Sequence, residues 1–182
     1  MKAAAAMLIA GAVWAQADSL PANKDAAIIT EFQKRVDDYL KLRKDIEAKS
    51  GKLKASSSQE KISYQARGLR HKVREARENA REGEVFTPDV SAEIRRLIGL
   101  AMQAGNATHV RQSLRHSEPV QLHLKVNDKY PEQVPLQTTP PTLLENLPKL
   151  PPEIEYRITG RDLVLLDAKV NLIIDVIRGV FG

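Results

Sequence analysis

The sequence predicts an α+β fold: an N-terminal antiparallel helical hairpin or small bundle, followed by a small antiparallel β-sheet arranged as a meander. Three observations predict it. Residues 25 to about 117 are charged, almost free of proline and apolar at helical spacing. Eight of the ten prolines fall between Pro119 and Pro152. Beyond them the chain is rich in β-branched residues and leucine, in short runs broken by turn formers. The organisation that follows is a leader at 1–17, a helical region at 18–117, a proline-rich connection with one strand at 118–152, and a hairpin or meander at 153–182. Residues 118–182 are free to share one core with the helices.

The leader reads as a cleavable signal peptide. Lys2 supplies a positive start, and Ala3 to Trp14 is an uncharged run too short to span a bilayer as a helix. Ala15 and Ala17 place small residues where a signal peptidase requires them, so the mature chain is expected to begin at or near Asp18. An uncleaved anchor or a buried apolar helix is the alternative. With no cysteine in the chain, disulfides are excluded, which fits a bacterial protein that is soluble and periplasmic or released. Cleavage leaves 165 residues with 27 basic and 23 acidic side chains, a net charge of +4. That mild excess gives only weak support to a polyanionic partner.

The first helix is expected from about Lys24 to Ser50. Ile29, Phe32, Val36, Tyr39, Arg43 and Ile46 recur at steps of three and four and form one stripe. Ser56-Ser57-Ser58 is a polar linker, and Ser57 with Glu60 fits a capping box opening a second helix. Ile62, Ala66, Leu69, Val73, Ala76 and Ala80 form its seam, and Gly83 ends it. Thr87-Pro88 starts a third helix, threonine capping and proline at the first helical position. Val90, Ile94, Leu97, Ile98 and Ala101 are its apolar face, with Gly105-Asn106 as terminator. A short fourth helix is expected at Thr108 to His116.

From Val120 the period changes to two. Val120, Leu122, Leu124 and Val126 alternate with polar residues and predict a half-buried strand ended by Asn127-Asp128. Pro140-Pro141 can open a helical turn that buries Leu143, Leu144 and Leu147. Ile154, Tyr156 and Ile158 form a strand, Thr159 to Asp162 a turn in which Gly160 takes positive φ, and Leu163 to Leu166 a second strand. Val170 to Ile177 fits either a helix or a third strand, and its β-branched density favours the strand.

The most ordered polar feature is an arginine stripe. Arg67, Arg70, Arg74, Arg77 and Arg81 follow the second helix's seam, each one residue beyond a seam position. As a binding surface it suits a protein or an anionic envelope component, because guanidinium forks bind carboxylates and phosphates with paired hydrogen bonds. As plain structure it is a solvated face whose stems cover apolar surface, with Glu75, Glu78 and Glu82 interleaved and Arg74 paired to Glu78. Nucleic acid is disfavoured, since no aromatics interleave with the stripe.

His109, His116 and His123 recur every seven residues, about 10–11 Å along a helix, too far for neighbours to share one ion. No metal ligands, cofactor or catalytic residues are therefore assigned, and His71 reads as a surface residue. No glycine-rich phosphate loop, nucleophile elbow or zinc-protease motif occurs. Asp162 and Asp167 sit where turns favour aspartate. Asp175, between Ile174 and Val176, is expected to be partly buried and paired, with Arg157 or Arg178 as candidates. The expectation is a non-enzymatic exported interaction protein. The alternative is a hydrolase or metal-handling protein whose site assembles from dispersed histidines and aspartates.

Overall fold

The computed structural model describes residues 23–50, 59–103, 124–131 and 140–181. The leader, the serine linker with its Ser57 cap, the expected helix at 108–116 and residues 120–123 of the first expected strand lie outside them.

Helix α1 spans Lys24–Lys49. The Asn23 side chain accepts the Asp25 N–H at its start, and the Ser50 N–H returns to Ile46 O at its end. The predicted stripe is the buried one: Phe32, Val36, Tyr39, Leu40 and Arg43 face inward. Helix α2 spans Gln59–Ala76 and buries Leu69 and Val73. Ile62, in contrast, is 48% exposed, so the seam's first member lies outside the core.

Helix α2 also stops earlier than Gly83, because residues 77–79 form a turn. Asn127 explains how that end is tolerated. Its Nδ2 donates to Arg74 O and Arg77 O, both at 2.9 Å, and satisfies carbonyls that the helix leaves open. Helix α3 spans Pro88–Gln103 and starts as expected, with Thr87 Oγ1 accepting the Val90 N–H at 3.4 Å and Pro88 in the first turn.

Contacts along α1 fall in reverse chain order. Ser50 meets Lys72, Tyr39 meets Arg77, Phe32 stacks on Phe86, and Asp25 pairs with Arg96. The path from α2 through α3 therefore runs antiparallel to one long helix. Thus α3 continues the direction of α2 instead of folding back on it.

Strands β1 (Ile154–Thr159), β2 (Asp162–Asp167) and β3 (Leu172–Ile177) form the antiparallel meander in the order β1-β2-β3. Thr159 pairs with Asp162 across a two-residue turn, where Gly160 has φ of 59°. The segment read as ambiguous is a strand. Helix α4 (Pro141–Leu144) is the turn expected after Pro140; with its exit it buries Leu143 and Leu147 but leaves Leu144 42% exposed.

The expected strand at 120–126 is not formed in its described part: residues 124–125 are irregular and 126–127 turn. Sheet pairing comes just after it. Asn127, in the left-handed region at φ of 68°, donates its N–H to Ile173 O, and Lys129 bridges Leu172. This short stretch lies along the edge of β3.

One face of the sheet, with Tyr156, Leu163, Leu165, Leu172 and Ile174, joins Phe32, Val36, Phe86 and Ile94 of the helical region in a single core. Both halves of the sequence thus share it. The other face, with Val164, Leu166, Ile173 and Val176, packs with Leu124 and Tyr130. A bulge lies between the pairs Leu165–Asp175 and Leu166–Ile173, leaving Ile174 as the extra residue. It resets the alternation, so that Ile174 and Ile177 both belong to the helix-side core while Val176 belongs to the other.

Candidate functional site

The bulge decides where Asp175 points. Its fully buried carboxylate meets the connection between α2 and α3, where Oδ2 accepts the N–H groups of Val85 and Phe86 at 2.8 Å. Oδ1 accepts the N–H of Gly83 at 3.0 Å and that of Val176 at 2.8 Å. Gly83 reaches this carboxylate with φ of 87°. The expected arginine partners are engaged elsewhere. Arg178 pairs with Glu82 and Asp162, and Arg157 with Glu155. Asp175 is thus paired by backbone donors, which hold the connection against the sheet. Burial pushes its carboxyl above the ordinary range, and the four N–H bonds work against that push.

Asp167 anchors a second buried group. Its Oδ1 accepts the N–H groups of Lys169 at 3.0 Å and Val170 at 3.3 Å, as the turn position predicts. Its Oδ2 accepts the Tyr39 hydroxyl at 2.8 Å and lies 3.0 Å from Arg43 Nε. The approach to Nε is an ion pair without hydrogen-bond alignment. Arg43 is 0% exposed and also reaches Glu153 at 3.1 Å. Sequence reasoning gave this residue no role, yet a signal was present: a charged side chain standing on the apolar stripe between Tyr39 and Ile46. Burial raises the Asp167 carboxyl, opposed first by the Arg43 charge.

Tyr39 is held neutral, its phenol pushed up by burial and then by the Asp167 carboxylate; burial alone raises that of Tyr156. Both folded-state values lie above the ordinary 10.0, so the stability they contribute is complete below that pH and is lost as pH rises beyond it. In an alkaline titration followed by NMR, the Cζ resonances of these two rings should shift only as far-UV circular dichroism is lost. Ionisation of either ring in a chain that is still folded would contradict this.

The arginine stripe divides. Arg70 donates to Val170 O at 2.9 Å, and Arg74 pairs with Asp128 at 3.0 Å instead of with Glu78. Arg77 lies just past the end of α2 and is buried. It bonds Glu84 Oε2 at 3.0 Å and Ile174 O at 3.2 Å, and it sits 5.1 Å from the centroid of the Tyr39 ring. Arg67 and Arg81 are exposed and make no ion pair among the described residues. Of the interleaved acids, Glu82 is taken by Arg178 and Glu75 lies 3.5 Å from exposed His71.

Arg77 also lines a cleft of about 360 Å³ between α1 and the α2–α3 connection, with Arg35, Tyr39, Leu42, Ala80 and Glu84 among its walls. Among the described residues no three histidine or carboxylate side chains gather as a metal site, and no helix is long and apolar enough to cross a membrane. His109, His116 and His123 lie outside those residues. Asp162, Asp167 and Asp175 each serve a different partner, Asp162 holding Arg178 and the Gly179 N–H. No family model, curated protein or solved structure matches this chain.

Proposed function

We propose that the chain is exported and acts without catalysis, docking on an anionic envelope component through the arginines of α2 and its exit. The observation that supports this is the exposure of Arg67 and Arg81 with no acidic partner among the described residues. Arg74 extends the strip, since among the described residues its ion pair is with Asp128 and both side chains are nearly half exposed. Pairs of that exposure are worth about 0–1 kcal/mol and exchange readily for a better anionic partner. Arg70 and Arg77 are committed to the fold and belong to the scaffold of the strip.

The test is vesicle sedimentation of the mature chain with phosphatidylglycerol. Arg67→Gln, Arg74→Gln and Arg81→Gln together should weaken binding by about a hundredfold or somewhat more, near 1 kcal/mol per basic residue at a charged surface, and raised salt should mimic the loss. Unchanged binding in the triple variant rejects the strip as the docking surface. Export has its own readout. Trp14 is the sole tryptophan, so protein recovered from the native host should begin near Asp18 and show no tryptophan emission. Recovery of chain beginning at Met1 from the cytosol rejects export.

A further inference from the structure

We propose that the cleft between α1 and the α2–α3 connection binds a small monocarboxylate with a short apolar tail, which docks on Arg77 by displacing the Glu84 side chain. Arg77 is the reason. Its side chain is only 7% exposed, yet the carboxylate that neutralises it belongs to Glu84, which is 52% exposed. Glu84 bonds Nη2, which Ile174 O shares, and Nη1 is buried without a hydrogen-bond partner among the described residues. A buried guanidinium with idle donors is costly, and a carboxylate entering along the fork satisfies both nitrogens at once. The half-exposed Glu84 group is thus an internal stand-in that water can readily take over.

The remaining walls define the ligand. Tyr39 lies under the guanidinium, and Leu42, Ala76, Ala80 and Val85 supply an apolar lining for a tail. Arg35 holds the Glu84 backbone through a 2.7 Å bond to its carbonyl, so the loop stays in place while the carboxylate swings away. Asp38 and the displaced Glu84 remain at the rim, which disfavours multiply charged anions such as phosphates.

The experiment is an amide-NMR titration of the mature chain with hexanoate, with hexanamide as the uncharged control. Saturable shifts at Ala80, Glu84 and Val85 are expected with hexanoate only. Glu84→Gln removes the competitor and should tighten binding about two- to fivefold, the worth of a half-exposed ion pair. Arg77→Met should abolish binding. Because that change also removes the bond to Ile174 O, Ala80→Leu, which fills the cleft and leaves every ion pair intact, must abolish it as well. Equal shifts with hexanamide, no tightening in Glu84→Gln, or binding that survives Ala80→Leu would each overturn the proposal. Vesicle binding reads the exposed arginines and hexanoate reads the cleft, so either proposal can fail alone.

Discussion

Arg43→Met will destabilise the fold by about 3–5 kcal/mol, the loss typical when one partner of a buried ion pair is removed. Asp167 would lose its buried counter-charge at 0% exposure, with the Tyr39 hydroxyl and two N–H groups as its remaining support. Against a total stability of about 5–15 kcal/mol for a domain, that is a large share. Urea unfolding followed by circular dichroism measures it. Adding Asp167→Asn removes the second charge while keeping an acceptor for the turn and a group to bond Tyr39. The double variant should therefore recover at least about 1 kcal/mol relative to the sum of the two single changes. Strict additivity would mean that the two side chains are not coupled as their 3.0 Å separation implies.

Asp175→Ala is expected to cost about 3 kcal/mol or more, because the N–H groups of Gly83, Val85 and Phe86 lose their acceptor at once. The effect should be local before it is global. Hydrogen exchange at these amides should accelerate under conditions where the amides of β2 remain protected. Asp175→Asn should cost less, since one oxygen survives as acceptor. A loss below about 1 kcal/mol in the alanine variant would show that the connection finds other acceptors. As burial raises this carboxyl, the folded chain holds its proton more tightly than the unfolded chain does. The stability it contributes is therefore greatest in acid and declines as pH rises from the ordinary 3.8 toward the raised value. The Asn variant should show a shallower slope, the remainder coming from Asp167, which burial raises in the same way.

Periodicity carried most of the architecture. The stripe from Phe32 to Arg43 and the Thr87-Pro88 start needed only local rules, and so did the Gly160 turn. What failed depended on partners distant in sequence. The end of α2 is set by Asn127, about fifty residues onward, so its own residues gave no sign of stopping at Ala76. The alternation at 120–126 resembles a strand, yet among the described residues pairing with β3 begins where Asn127 turns into the left-handed region. For the candidate sites, the odd placement of Asp175 was legible and its partners were not, because backbone donors leave no mark on composition. The arginine stripe was visible as five equivalent positions. Spacing cannot distinguish Arg77, packed on Tyr39, from Arg81 in solvent.

The extra residue in β3 also fixes how that strand can change over time. Were Ile174 to pair regularly opposite Leu165, strict two-residue alternation would carry the Asp175 carboxylate to the face of Val164, Leu166 and Ile173, among apolar side chains. A one-residue slip would exact the same penalty. β3 is therefore ratcheted in place, and the four-residue loop before it is held as well, since Val170 is buried and Asp167 accepts its N–H together with that of Lys169.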